Sequence, residues 1–277
     1  MSINYRYVVD WIAESARDTG LTSPRILDFG CGAGEIVKAA LERGLDIWGA
    51  DPYQGIQADL HERMLGQPET ATKDRILRIE ADTLPFPDNY FDIVVSNQVF
   101  EHVKDLRRPL HEIQRVLRHG GIFLALFPGK ETWWEGHCQL YFAHWLRPPI
   151  QAWYLNAAKR CGFGYENGTK DARKWAAEFV AYLRDYCFYR PSRTIDREWQ
   201  EAFGSKPIEM NSSYMLYRLD HSRLASAGRW LDNSLGRHML AFICKARAGR
   251  VITVRNLKQE PPRNGHSCAS PATSPAW

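Results

Sequence analysis

No stretch of this 277-residue chain approaches the roughly 18 consecutive apolar residues that would cross a bilayer, so no membrane span is expected. Cysteine is sparse. Cys31, Cys138, Cys161, Cys187, Cys244 and Cys268 include no C-x-x-C pair, which argues against a zinc ribbon and a disulfide framework. Long Lys/Arg runs are also missing. The 36 basic and 32 acidic residues leave a net charge of +4, too small and too scattered to track phosphates, so no nucleic-acid partner is expected. The opening MSINYRYVVDWIAESARD is charged throughout and lacks the apolar core of a secretion signal. A cytoplasmic protein is the resulting expectation. No internal repeat is present.

What is present is alternation. Residues 4–18 pattern as an amphipathic helix with Tyr7, Val8, Trp11 and Ile12 on one side. Short apolar runs at 26–29, 45–50, 75–80, 91–96 and 122–127 read as strands, separated by helical patterns at 35–43 and 106–117. This order predicts an α/β doubly wound, mainly parallel sheet with helices on both faces. After Pro128 the texture becomes helical and aromatic, and residues 130–190 read as an insertion over the sheet edge. Alternation resumes with a helix at 194–203, a strand at 207–210, another helical stretch and a last strand at 239–246. The polar sequence from Gly249 onward reads as a disordered tail. The domain reading is therefore 1–129 with 191–247 as the α/β unit, 130–190 as a lid, and 248–277 as tail.

Ile26-Leu27-Asp28-Phe29-Gly30-Cys31-Gly32-Ala33-Gly34 places glycines at a strand-to-helix turn, where a side chain would obstruct a ligand. Ligands of open α/β sheets bind at the carboxyl ends of strands. Asp51 closes the second strand about 20 residues beyond the loop, where a carboxylate can accept both ribose hydroxyls. Together these features point to a nucleoside-containing cofactor. A dinucleotide fingerprint beginning at Gly30 would need glycine at position 35, which is Glu35. A carboxylate at that helix start is poorly placed beside a pyrophosphate, and Asp28 suits a cationic, amino-acid-bearing cofactor. The balance favours S-adenosylmethionine.

Asp28-x-Gly30-x-Gly32-x-Gly34 resembles the first motif of the class I S-adenosylmethionine-dependent methyltransferases, small-molecule branch. Asp51 matches that family's ribose-binding acid. Glu80-Ala81-Asp82, the run Leu84 to Asp92, Phe100-Glu101-His102-Val103, and Arg115-Val116-Leu117 before Gly120-Gly121 continue the match over about residues 20–130. The resemblance implies a Rossmann-like seven-stranded sheet whose last strand is antiparallel. It implies that Gly30 and Gly32 line the methionine portion, with Asp28 near its amino group. Asp51 would hold the ribose, Tyr53 would touch adenine, Asp82 would accept the adenine amine with Thr83 beside it, and Asn97 and Gln98 would border the methionine end.

Methyl transfer to a hydroxyl also needs a proton acceptor. Candidates lie in Trp133-Trp134-Glu135-Gly136-His137-Cys138-Gln139-Leu140-Tyr141-Phe142-Ala143-His144-Trp145, where His137 and His144 are the expected catalytic bases. His102 reads as structural or cofactor-side. The spacing of His137, His144 and Glu135 permits a metal without demanding one, and none is expected. The aromatic content suits a small-molecule or glycan acceptor. N- or C-methylation, and cofactor binding without transfer, are the alternatives, and the insertion could serve as a homodimer surface instead of a lid.

Overall fold

The computed structural model describes residues 1–53, 72–80, 83–166 and 168–258. Seven strands form one sheet: β1 (Arg25–Phe29), β2 (Asp46–Asp51), β3 (Ile76–Arg78), β4 (Phe91–Asn97), β5 (Leu117–Phe127), β8 (Ile208–Glu209) and β9 (Arg250–Arg255). Their order is β3-β2-β1-β4-β5-β9-β8. The first five run parallel, while β9 is antiparallel to β5 and β8 antiparallel to β9. Ile26, Leu27, Asp28 and Phe29 are all buried, as expected for a central parallel strand covered on both faces.

The helices are α1 (Ile3–Asp18), α2 (Glu35–Leu41), α3 (Arg107–Val116), α4 (Pro148–Arg160), α5 (Ala172–Tyr186), α6 (Ser192–Phe203), α7 (Asn211–Asp220), α8 (Ala225–Leu231) and α9 (Ser234–Arg247). One face of the sheet packs on α3 and α6, through Leu110, Ile113, Trp199 and Phe203. The other packs on α1, α2 and α7, through Val8, Ile12, Val37 and Tyr214. Ser2 starts α1, its side-chain oxygen accepting from the Asn4 main-chain N–H.

Two of the expectations fail at the C-terminal end. Residues 239–246 are not a strand but the second half of α9, capped by Asn233, which accepts from the Gly236 N–H. The last strand is β9, inside the stretch expected to be disordered. Its Val251, Ile252 and Val254 are buried in the sheet. The α/β unit therefore extends through 255.

The insertion consists of a short hairpin, β6 (Trp134–Glu135) with β7 (Leu140–Tyr141), followed by α4 packed on α5. It has a small core of its own, built from Cys138, Leu140, Ala143, Leu155, Trp175 and Ala176. Among the described residues, no helix is long and apolar enough to cross a membrane.

Candidate active site

The glycine loop leaves β1 at the carboxyl edge of the sheet, beside the end of β2. The Gly30 N–H donates to the Ala50 carbonyl at 2.7 Å, joining the loop to β2. Gly30 has φ +75°, and a Cβ there would stand 2.3 Å from Val99 Cγ2. Gly32 has φ +49°, and a Cβ would meet no heavy atom within 4 Å. The first glycine is thus required by the protein's own packing. The second borders open space, which is the condition for close approach of a ligand.

Asp51 ends β2 with both oxygens accepting main-chain donors, Gly32 N–H at 3.0 Å and Tyr53 N–H at 2.7 Å. Asp28 is 1% exposed, and its carboxylate oxygens have no hydrogen-bond partner among the described residues. Burial, reinforced by the charge of Asp51, pushes its pKa up to about 8. Tyr53 is fully buried and its hydroxyl donates to the Gly32 carbonyl at 2.9 Å, so it braces the loop.

Asn97, the last residue of β4, has its Oδ1 buried without a partner among the described residues. Gln98 follows at φ +59°, exposed, its N–H donating to the Leu126 carbonyl at 2.7 Å. Thr83 is exposed in a turn whose N–H reaches the Glu80 carbonyl. Asp82 lies outside the described residues. The structure thus gathers Asp28, Gly30, Gly32, Asp51, Asn97 and Gln98 at the carboxyl ends of adjacent strands. An unpaired buried carboxyl, an acid aimed by main-chain donors and an open glycine suit S-adenosylmethionine, whose ammonium would meet Asp28 and whose ribose would meet Asp51.

A second polar cluster begins where the loop after β4 ends. Phe100 stacks on Phe29 with centroids 6.0 Å apart, and Glu101 and His102 follow it. Glu135 comes from β6, 1% exposed. Its Oε1 accepts from His137 Nδ1 and from the Tyr189 hydroxyl, each at 2.6 Å, and its Oε2 from the Cys138 N–H at 2.7 Å. Burial would raise the Glu135 pKa, but the hydrogen bonds it accepts from His137, the Cys138 N–H and Tyr189 prevail and hold it at about 2. His137 Nε2 stands 3.3 Å from His102 Nε2, and His102 Nδ1 contacts the Tyr186 carbonyl at 2.7 Å. Burial pushes the His102 pKa down. Glu101 is 1% exposed, and burial, with the charge of Glu135, pushes it up to about 8.

His144 does not join His137. Its ring packs on Tyr189 with centroids 4.5 Å apart, and burial lowers its pKa. A carboxylate–imidazole pair with a second imidazole facing it is what the cluster offers chemically: an oriented proton acceptor. Tyr189 and Cys187 were missed by the sequence reading, and Glu101 stood in the motif match without a role. Tyr189 lies 54 residues from Glu135 along the chain, and no local pattern announces it.

A family model described as a methyltransferase domain matches residues 27–125. Arginine-hydroxylase NDUFAF5, mitochondrial, of Homo sapiens is 32% identical over 133 residues, covering 48% of this chain and 36% of its own. The chloroplastic 2-methyl-6-phytyl-1,4-hydroquinone methyltransferase of Arabidopsis thaliana is 28% identical over 189 residues, covering 63% of this chain and 53% of its own. This chain therefore spans about half or less of these relatives' length. A solved S-adenosylmethionine-dependent methyltransferase from Mesorhizobium loti aligns over 89% of this chain and 97% of its own, at 17% identity and a TM-score of 0.49. The matched domain holds the glycine loop, Asp51 and His102, and it ends before Glu135 and His137.

Proposed function

We propose that the chain, whose residues 27–125 match the methyltransferase-domain model, is a class I S-adenosylmethionine-dependent methyltransferase that methylates a hydroxyl oxygen on a small molecule or glycan. S-adenosylmethionine supplies a methyl group already activated by its sulfonium. The protein's task is then to align the nucleophile, exclude water and receive the hydroxyl proton.

In this reading Asp28 holds the cofactor's ammonium, Asp51 its ribose diol, and Gly32 admits its backbone-proximal atoms, with Asn97 and Gln98 bordering the methionine end. The single observation that carries the hydroxyl assignment is the 2.6 Å contact between buried Glu135 and His137 Nδ1. An ionised carboxylate can only accept, so Nδ1 carries a hydrogen, and in the neutral imidazole Nε2 keeps its lone pair. A hydroxyl arriving beside Nε2 can give up its proton there as oxygen attacks the methyl carbon. His144 supports Tyr189, which shares Glu135 with His137, and so acts as a positioning residue.

The test is methyl transfer to a panel of phenols and sugars, with calorimetry of S-adenosylhomocysteine beside it. His137→Ala is expected to lower transfer to a hydroxyl about 100-fold, the scale of a general base. His144→Ala is expected to have a smaller effect, and both variants to keep cofactor affinity. Full rate in the His137 variant, or methyl found on nitrogen or carbon, would overturn the reading.

A further inference from the structure

When both rings are neutral imidazoles, the two facing nitrogens of His102 and His137 carry no hydrogen of their own. The Nδ1–H of His137 is committed to the Glu135 carboxylate and that of His102 to the Tyr186 carbonyl, both of which can only accept. Two Nε2 lone pairs are left 3.3 Å apart. Such lone pairs repel unless a proton or a metal cation lies between them. Two nitrogens at about 2.0–2.1 Å from a tetrahedral zinc stand about 3.3 Å from each other. Donation of the remote ring N–H to a carboxylate or carbonyl is also how metal-binding imidazoles are oriented.

The surroundings favour positive charge. Cys187 is buried, its Sγ 3.8 Å from His137 Nδ1, and one ligand atom from each of His102, His137 and Cys187 lies within 4.8 Å of the other two. Glu101, 1% exposed and with no hydrogen-bond partner among the described residues, sets its Oε1 4.0 Å from His102 Nε2. A buried carboxyl without a donor among the described residues, 4.0 Å from an imidazole nitrogen, is a cation's environment.

We propose that His102, His137 and Cys187 bind one zinc-class divalent cation, with Glu101 supplying a further negative charge, and that the bound cation inhibits methyl transfer. The Cys187 thiol proton leaves to solvent on binding. Inhibition follows because the cation occupies the lone pair that would receive the hydroxyl proton, so its sign rests on the proposed role of His137. The binding does not. The sequence-based expectation of no metal considered His137 with His144, whereas the fold pairs His137 with His102.

The experiment is a cobalt(II) titration of chelator-treated, dialysed full chain, read by electronic absorption. Saturation at one equivalent, with intense visible bands of tetrahedral cobalt and a near-ultraviolet thiolate band, is expected. His102→Gln and His137→Gln are expected to weaken binding at least 100-fold, and Cys187→Ser to abolish the thiolate band, while each keeps wild-type affinity for S-adenosylhomocysteine. Pale octahedral spectra, a thiolate band that survives in Cys187→Ser, or no saturation would overturn the site. If a glutamine variant loses S-adenosylhomocysteine binding, the wild-type spectrum and Cys187→Ser decide alone. Zinc that binds by competition with cobalt yet leaves transfer to phenols unchanged would overturn the inhibition and remove His137 from the proton-accepting role, with the site still standing.

Discussion

Asp28 is buried near Asp51 with no hydrogen-bond partner among the described residues, and its pKa of about 8 makes it a carboxylic acid at neutral pH. An unfolded Asp titrates near about 3.9. Between these values the native chain binds a proton that the unfolded chain has lost, so stability is fully present below about pH 4 and falls as pH rises toward 8. The melting temperature of the ligand-free protein is therefore expected to decline from pH 5 to 8, and Asp28→Asn to flatten that decline. An ammonium placed against Asp28 reverses its preference and expels the proton. At pH 7 the calorimetric heat of S-adenosylhomocysteine binding should vary with the ionisation enthalpy of the buffer. Equal heats across buffers would remove Asp28 from the ammonium's site. Asp51 acts differently, since main-chain donors already orient both its oxygens. Asp51→Ala is expected to weaken S-adenosylhomocysteine binding by well over tenfold, about 1.4 kcal/mol or more, and unchanged calorimetric affinity would refute the ribose assignment.

The turn between β1 and α2 separates two kinds of glycine. At both Gly30 and Gly32 a Cβ incurs the left-handed penalty of about 1–2 kcal/mol, but only at Gly30 does it also strike Val99. Gly30→Ala is expected to lower the melting temperature more than Gly32→Ala, whereas Gly32→Ala should abolish S-adenosylhomocysteine binding while the chain stays folded. Equal melting losses with binding retained in Gly32→Ala would show that the space beside Gly32 is not the cofactor's. The same turn explains why this part of the fold was legible. Buried parallel strands are short apolar runs, and the loop between them announces itself in glycine. The C-terminal elements were not. Met239-Leu240-Ala241-Phe242-Ile243-Cys244 is a continuous apolar run, which periodicity cannot assign to helix or strand, and Asn233 capping α9 was the overlooked signal. In β9, the flanking Arg250 and Arg255 made Val251-Ile252-Thr253-Val254 look polar, although its β-branched residues are what a central strand favours. The Glu135–His137 pair was visible as neighbours in sequence. Its partners His102 and Tyr189 were not, because the loop after β4 and the chain leaving α5 meet it only in the folded molecule.

At the scale of the molecule, β9 pairs with the end of β5 and secures the sheet where the insertion leaves it. Arg250 is 2% exposed at the point where β9 pairs with Phe127, the last residue of β5 before the insertion. It pairs with Asp196 of α6 and Glu209 of β8, each at 2.8 Å, and donates to the Ser192 carbonyl at 3.2 Å. One buried guanidinium thus ties the start of α6, both antiparallel strands and the exit of the insertion. Removing a partner of a fully buried pair costs about 3–5 kcal/mol. Here the two carboxylates are 45% and 43% exposed and can regain water when Arg250 is lost, so a smaller loss of about 1–3 kcal/mol is expected for Arg250→Met. Urea unfolding of the ligand-free chain measures it directly. Asp196→Asn and Glu209→Gln should each cost less than Arg250→Met, because the guanidinium keeps its other acceptors. A change below about 0.5 kcal/mol in Arg250→Met, the range of ordinary surface substitutions, would show that β9 is held by its apolar ladder alone and that the charge cluster contributes nothing to closing the sheet.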